Sequence, residues 1–216
     1  MWIAHRGYSS KYSDNTRASF LGAIGAGFDM IELDVHLCES GELVIHHDLL
    51  FKGIPITKWS KTKLQKHNIM TLSEYFTLIS DTTDNKMKTY LDVKGRVEVM
   101  NALIDFLRVN DIIHDNIYVG TFHIDQLLAL YDSNLAVHKG LITANAYTID
   151  TLQQFLLLCD FFSFHFEMFD NHLYDYLHKE NKLVFLYTCH DVSEYAYIKS
   201  NLHCDGIVSN IIIKYE

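Results

Sequence analysis

The sequence predicts an α/β fold in which parallel strands alternate with crossover helices around a single core. Apolar strand-like segments and helical segments follow one another along most of the chain, a pattern typical of parallel sheets. A length of 216 residues suits one domain over residues 1–216, and a (β/α)8 barrel can be built at this size. Because 49% of the residues are hydrophobic, the chain can bury a substantial core.

Eight segments have the short apolar pattern of buried strands. They are predicted near residues 2–6, 29–35, 88–94, 117–122, 137–143, 161–166, 182–188 and 205–209. A helix is predicted from Asn15, as its N-cap, to Gly27. Further helices are predicted near residues 96–109, 123–132, 148–159, 170–179 and 191–201. Eight strands with intervening helices predict a (β/α)8 barrel.

The connection after the second strand departs from this alternation. Within residues 35–48, a Cys-Glu-Ser-Gly turn signal at 38–41 separates two short extended runs, which predicts a β-hairpin. This hairpin would fold His47 back over the end of the second strand. Residues 49–87 then form an insertion with an apolar stretch. Two interpretations stay open: this stretch packs against the barrel, or it forms a lip that faces lipid or substrate.

Composition argues against several classes of protein. A net charge of -9 and a pI near 5.7 argue against a nucleic-acid partner and disfavour general adhesion to anionic membranes. The four cysteines are widely spaced, so neither a zinc site nor a disulfide framework is predicted. No apolar run approaches the roughly 20 residues of a transmembrane helix, and no secretory signal precedes the first strand. A cytoplasmic location is therefore expected, and the oligomeric state stays open.

Side chains suited to chemistry stand where the strand-like runs end, although a buried strand has no structural use for them. His5 ends the first run, Glu32 and Asp34 share one face of the second, and Asp92 is late in the third. Because active sites of such barrels lie at the C-terminal rim, these residues are predicted to converge there with His47. Clustered carboxylates favour a hard cation such as Mg²⁺ or Ca²⁺. The set predicts a metal-assisted hydrolytic site.

Four ordered motifs carry a resemblance to a known family. They are His5-Arg6-Gly7, Asn15-Thr16, Glu32-Leu33-Asp34-Val35 and His47-Asp48. With weaker matches at residues 71–74 and 205–208, the chain resembles the glycerophosphodiester phosphodiesterase family over nearly its whole length. The resemblance implies a TIM barrel with an insertion after the second strand. It also implies a phosphoric diester hydrolase of lipid metabolism that releases glycerol 3-phosphate and an alcohol from a small glycerophosphodiester.

The resemblance assigns roles to the strand-end residues. Glu32, Asp34 and Asp92 match the family's ligands for a divalent cation, here Mg²⁺ or Ca²⁺. His5 is expected to act as the base and His47 as the acid, and the reverse assignment stays open. The nucleophile is either water or the neighbouring hydroxyl of the glycerol, which would give a cyclic phosphate first.

Five residues are predicted to bind substrate: Arg6, Asn15, Lys94, His123 and Tyr187. Arg6 and Lys94 can balance charge on the phosphoryl oxygens. Asn15 is either a helix cap or a site residue, and His123 follows a strand end at the rim. Tyr187 stands where the family usually has Trp, so an aromatic ring could still line the pocket.

Departures from the family's pattern leave two rival functions. Asp92 replaces the usual Glu, and the same Asp-x-Lys form occurs in the related sphingomyelinase D phospholipases. One rival is therefore a phospholipase D-like enzyme that acts on lysophospholipid or sphingomyelin. The other is a non-catalytic barrel that binds phosphodiesters, although binding alone needs no pair of proton-transfer groups. Changes at residues 13–16 and 209–212 concern substrate preference more than catalysis.

Overall fold

The structure, a computed structural model, describes residues 1–110, 112 and 114–213. Its strands are β1 (Trp2–Ala4), β2 (Met30–Leu37), β3 (Leu43–Ile45), β4 (Leu50–Phe51), β5 (Ile54–Pro55), β6 (Lys88–Val93), β7 (Ile117–Thr121), β8 (His138–Thr143), β9 (Phe161–His165), β10 (Leu183–Cys189) and β11 (Gly206–Ser209). The helices are α1 (Arg17–Ala26), α2 (Lys61–Gln65), α3 (Leu72–Thr83), α4 (Val97–Val109), α5 (Ile124–Asp132), α6 (Ile149–Gln153), α7 (Asn171–Lys179) and α8 (Val192–Asn201). Short 3-10 helices lie at Ile56–Lys58, His114–Asn116 and Phe166–Met168.

Eight parallel strands close into a barrel, which confirms the predicted fold. Their order is β1-β11-β10-β9-β8-β7-β6-β2, and the pairing of β2 with β1 closes the sheet. At least one helix lies in each connection between consecutive barrel strands. None of the helices within the described ranges is both long and apolar enough to cross a bilayer.

The centre of the barrel is filled by one large apolar layer to which every barrel strand contributes one residue. The layer contains Ile3, Met30, Tyr90, Tyr118, Ile142, Phe161, Phe185 and Val208. Aromatic contacts connect its members, such as the edge-on packing of Tyr90 against Phe161 at 5.3 Å between ring centroids. Because side chains alternate along a strand, the next inward positions lie directly beyond this layer.

The second connection contains the predicted hairpin. β2 continues past the barrel wall and pairs antiparallel with β3, with Val35 opposite Ile45. The insertion that follows holds β4, β5, α2 and α3. It has a small core of its own, in which the buried Ile56, Leu64 and Ile69 pack with the partly buried Trp59.

Two sequence predictions were wrong in detail. Thr16, not Asn15, is the N-cap of α1, because the Thr16 hydroxyl accepts a hydrogen bond from the backbone N–H of Ser19 while Asn15 adopts a left-handed φ of 56°. The helix predicted at 148–159 ends at Gln153. Beyond it the backbone forms four-residue turns, closed by hydrogen bonds such as Phe155 N–H to Leu152 C=O. Phe155, Leu156 and Leu158 pack against the hydrophobic core.

Replacing Gly140 by alanine tests the packing of the central layer. A Cβ at this position of β8 would lie 2.2 Å from the ring of Phe161, which is itself fully buried. We expect Gly140→Ala to lower the free energy of unfolding by about 1–3 kcal/mol, because the ring has no space to move into. Chemical denaturation of the purified protein measures this change.

Gly25→Ala is the matched control. Gly25 lies in α1 with open space around its Cα, so a methyl group there meets no atom within 4 Å. We expect this change to raise stability by about 0.5–1 kcal/mol through helix propensity. Equal effects of the two substitutions would show that the central layer is not tightly packed around Gly140.

Candidate active site

The site begins where the inward positions of the strands pass beyond the central layer. In β2 these positions hold Glu32 and Asp34, and in β6 and just after it they hold Asp92 and Lys94. His5 occupies the corresponding position just after β1. All five line one pocket at the C-terminal end of the barrel, as the sequence predicted.

Three buried carboxylates form the floor of this pocket. Glu32, Asp34 and Asp92 each offer an oxygen, and these oxygens lie within 4.8 Å of one another. The backbone N–H of Arg6, held at a left-handed φ of 57°, donates to Oε2 of Glu32 at 2.8 Å. Nδ2 of Asn15 donates to Oδ2 of Asp34 at 2.7 Å. Oδ1 of Asp92 is buried without a hydrogen-bond partner.

Two cations balance part of this charge. Nζ of Lys94 lies 2.5 Å from Oδ2 of Asp92 and 3.0 Å from Oδ1 of Asp34, while Nε of Arg6 lies 3.3 Å from Oδ2 of Asp34. Burial opposes the charge of Lys94, but Asp92 and Asp34 overcome it and raise its pKa. Burial likewise opposes ionisation of Asp34, and the nearby Lys94 and Arg6 overcome it and lower the pKa of its carboxyl.

Glu32 forms no salt bridge among the described residues, whereas Asp34 and Asp92 do. Burial, together with the neighbouring Asp34 and Asp92, raises its pKa well above the ordinary value. Burial also raises the pKa of Asp92. A divalent cation suits these residues, because the donors are all hard oxygens and Oδ1 of Asp92 lacks a partner. Two ligands of one Ca²⁺ can stand up to about 5 Å apart, which matches the spacing of the three carboxylates.

His5 is held by a chain of side-chain hydrogen bonds. Its Nδ1 donates to Oδ1 of Asn210 at 2.7 Å, and the hydroxyl of Ser9 donates to the same oxygen at 2.9 Å. Nδ2 of Asn210 donates to Nδ1 of His190 at 2.9 Å. In the neutral ring this arrangement leaves Nε2 of His5 without a proton. Burial, followed by the nearby Arg6, lowers the pKa of His5 to about 4.

His47 reaches the pocket from the hairpin side and has a different partner. Its Nδ1 donates to a carboxylate oxygen of Asp48 at 2.8 Å, and its side chain is 40% exposed. Its backbone carbonyl lies 3.2 Å from Nε2 of the buried His36. The preceding His46 does not line the pocket and packs edge-on against Phe51. The two pocket histidines therefore differ in burial and in the charge of their partners.

The three remaining predicted substrate residues have different surroundings. Tyr187 lines the pocket, and its hydroxyl is buried without a hydrogen-bond partner. Asn15 contacts the carboxylate of Asp34 and does not line the pocket wall. His123 is exposed and outside the pocket lining, because the inward position after β7 belongs to Phe122.

Sequence reasoning missed several residues of the pocket and its surroundings, among them Phe122, Ser163 and Asn210. Phe122 lines the pocket, with Nζ of Lys94 5.6 Å from its ring centroid. Ser163 also lines it, and a lone serine within Phe161-Phe162-Ser163-Phe164 is a signal that strand alternation could have found. Asn210 carried no such signal, since its contact with His5 joins residues 205 positions apart.

Known proteins resemble this chain in sequence. A model of the glycerophosphoryl diester phosphodiesterase family matches residues 5–214. An uncharacterised protein of Mycoplasma genitalium is 30% identical over 162 residues, 65% of this chain and 66% of that protein. A lysophospholipase D of Rattus norvegicus is 40% identical over 50 residues, 23% of this chain and 16% of that enzyme. The chain thus spans less than two thirds of the length of these relatives.

Solved structures share the fold. A phosphodiesterase of Oleispira antarctica, in complex with the product sn-glycerol-3-phosphate, superposes with a TM-score of 0.79. Its sequence is 22% identical, and the match covers 97% of this chain and 92% of that one. At this identity the likeness establishes the barrel.

Glu32→Gln tests the charge balance of the three carboxylates. In the folded protein the pKa of Glu32 lies above its value in the unfolded chain. The protonated Glu32 therefore contributes fully to stability below the unfolded pKa, and this contribution is lost as the pH rises through the folded pKa. Without divalent cations at neutral pH, we expect the variant to melt about 2–4 °C above the wild type, the shift that ~1 kcal/mol gives a chain of this size. Mg²⁺ or Ca²⁺ should raise the Tm of the wild type and have less effect on the variant.

Glu98→Gln is the control, since Glu98 is exposed in α4. Without cations, we expect the Tm of Glu98→Gln to be no higher than that of the wild type. With Mg²⁺ or Ca²⁺, its Tm should rise as much as that of the wild type. Thermal melts in EDTA, Mg²⁺ and Ca²⁺ measure all three proteins. A wild-type Tm that neither ion raises would contradict a cation site at Glu32, Asp34 and Asp92.

Proposed function

Since the chain belongs to the glycerophosphoryl diester phosphodiesterase family, we propose that it is a divalent-cation-dependent hydrolase of glycerophosphodiesters. Its products would be glycerol 3-phosphate and an alcohol. The observation that carries the proposal is the presence of two differently held histidines and three clustered carboxylates in one pocket. The product named for the Oleispira antarctica phosphodiesterase supports the same substrate class. A cytoplasmic location stays a prediction.

His5 is suited to the base in the first step. Its lowered pKa of about 4 makes the ring neutral near pH 7, so Nε2 can accept a proton. The hydrogen bond from Nδ1 to Asn210 keeps the ring in this tautomer. Removing a proton from the attacking oxygen would make that oxygen a stronger nucleophile.

His47 is suited to the acid. Its Nδ1 donates to Asp48, which fixes the ring and leaves Nε2 to carry a proton to the departing alkoxide. Its partial exposure places it nearer solvent than His5, which suits contact with the leaving alcohol. The assignment of base and acid is tested separately from the class of reaction.

Positive charge in the pocket would balance the phosphoryl oxygens. Arg6 and Lys94 already lie beside the carboxylates, at 3.3 Å and 3.0 Å from Asp34. A divalent cation held by Glu32, Asp34 and Asp92 would act as a Lewis acid toward a phosphoryl oxygen. The unpartnered hydroxyl of Tyr187 would donate to a substrate oxygen.

Two nucleophiles fit this arrangement. Water would give glycerol 3-phosphate directly, and the adjacent glycerol hydroxyl would give a cyclic phosphate that water then opens. Phosphorus NMR of the reaction of glycerophosphocholine separates the two routes, because the cyclic diester has its own resonance.

Alanine at either pocket histidine tests the proposed chemistry. We expect His5→Ala and His47→Ala to lower kcat for release of glycerol 3-phosphate from glycerophosphocholine by about 10²–10⁴-fold, the usual contribution of a general acid or base. EDTA should abolish release by the wild type, and Mg²⁺ or Ca²⁺ should restore it. An alcohol of low pKa in the substrate should partly rescue the variant that lacks the acid.

His123→Ala is the control, because His123 is exposed and outside the pocket lining. We expect its kcat to stay within about twofold of the wild type. Absence of release with any cation would overturn the proposal and favour a barrel that binds without turnover. If a substrate with a good leaving group rescued His5→Ala and not His47→Ala, the roles of acid and base would be reversed.

Asn210→Ala tests the support of His5. Without Oδ1 of Asn210 the ring can rotate or change tautomer, so we expect kcat to fall about tenfold with little change in KM. Asn210→Asp keeps an oxygen acceptor for Nδ1 and should retain more activity than the alanine variant. Steady-state kinetics that rank the two variants in the opposite order would remove Asn210 from this role.

A second candidate is lysophospholipase D activity. The match to the rat lysophospholipase D and the exposed Leu49 and Leu50, which follow the pocket residue His47 in the sequence, favour it. Release of choline from lysophosphatidylcholine, compared with release from glycerophosphocholine, decides between the two substrate classes.

A further inference from the structure

The insertion carries a local charge opposite to that of the whole chain. Residues 49–70 contain five of the chain's 18 lysines and arginines and none of its 27 aspartates and glutamates. Four of these lysines are exposed: Lys52, Lys58, Lys63 and Lys66. The net charge of the whole chain is -9. The segment therefore carries positive charge within a chain that is acidic as a whole.

The same segment exposes large apolar side chains. Leu49, Leu50 and Ile54 are 63%, 47% and 45% exposed, and none of them belongs to a hydrophobic cluster in the described ranges. The hairpin that carries them is well anchored, because Phe51 contacts Trp59 at 5.4 Å between ring centroids. Folding of the insertion therefore does not account for the exposed leucines and isoleucine.

The exposed apolar residues begin two positions after a residue of the active-site pocket. His47 lines that pocket, and Leu49 follows two residues later. Lys52, at the turn of the hairpin, lies over the ring of Phe51, with Nζ 5.5 Å from the ring centroid. Apolar side chains and a lysine thus follow within a few residues of a histidine that lines the pocket.

We propose that this segment, residues 49–70, docks on an anionic phospholipid surface and turns the pocket toward it. Leu49, Leu50 and Ile54 would enter the interface, while the lysines would contact the anionic headgroups. The acidic remainder of the chain would be repelled by the same surface, so charge would select one orientation. Docking requires no catalytic turnover, so it can be tested independently of the proposed hydrolysis.

Vesicle flotation tests the docking surface. Wild-type protein is mixed with vesicles of phosphatidylcholine alone or of phosphatidylcholine with phosphatidylglycerol. We expect binding to the mixed vesicles, weaker binding to the neutral ones, and loss of binding as salt is raised. Leu49→Ser/Leu50→Ser/Ile54→Ser and Lys63→Gln/Lys66→Gln should each weaken partitioning into the mixed vesicles by about tenfold or more.

Matched controls lie elsewhere on the surface. Val109 and Leu157 are 81% and 86% exposed, more than any apolar residue of the segment. Val109→Ser/Leu157→Ser and Lys86→Gln/Lys179→Gln should leave partitioning unchanged. Circular dichroism melts show whether each variant is folded.

Three outcomes would overturn the proposal. They are failure of the wild type to bind the mixed vesicles, equal effects of the segment variants and the controls, and binding that does not respond to salt. Analytical ultracentrifugation without lipid tests whether a second copy of the chain binds this surface. Self-association that the serine variants abolish would assign the surface to such a copy and also overturn the proposal. Hydrolysis of glycerophosphocholine in vesicle-free buffer reports on the active site alone, so loss of docking with full activity leaves the proposed function intact.

Discussion

Three carboxylates gathered in the mouth of a closed barrel create the electrostatic constraint that the surrounding residues satisfy. Their oxygens lie within 4.8 Å of one another and are buried, so each ionised group raises the cost of ionising the next. Lys94 contacts two of them, and Arg6 contributes a backbone N–H to Glu32 and its guanidinium to Asp34. The remaining negative charge is what makes the site suited to a divalent cation.

The centre of the barrel is closely packed beside these carboxylates. One residue from each strand fills the interior, and large rings such as Phe161 lie against positions where only glycine fits, as at Gly140. This layer separates the polar mouth from the rest of the molecule. It also fixes the strand register, and the register decides which side chains face the pocket.

The two pocket histidines receive opposite surroundings from the same fold. His5 is buried and hydrogen-bonded to the neutral amide of Asn210, which is compatible with an uncharged ring near pH 7. His47 is partly exposed to solvent, and its hydrogen-bond partner is the carboxylate of Asp48. A difference of this kind allows one histidine to accept a proton while the other delivers one.

Strand periodicity in the sequence determined the α/β class, and the eight strand-like segments together with the family motifs predicted the barrel. The clustered acids and histidines at the strand ends are local patterns too, and they predicted which of these residues meet in one pocket. Period-two alternation placed Glu32 and Asp34 on one face, and it would also have found Ser163. Only the tertiary structure decided that Asn210 supports His5 and that Phe122, not His123, faces the pocket. The physical reason is that barrel closure brings together residues from distant parts of the chain. The strand register also decides which residue at the end of a strand faces the pocket, and neighbouring residues in the sequence do not.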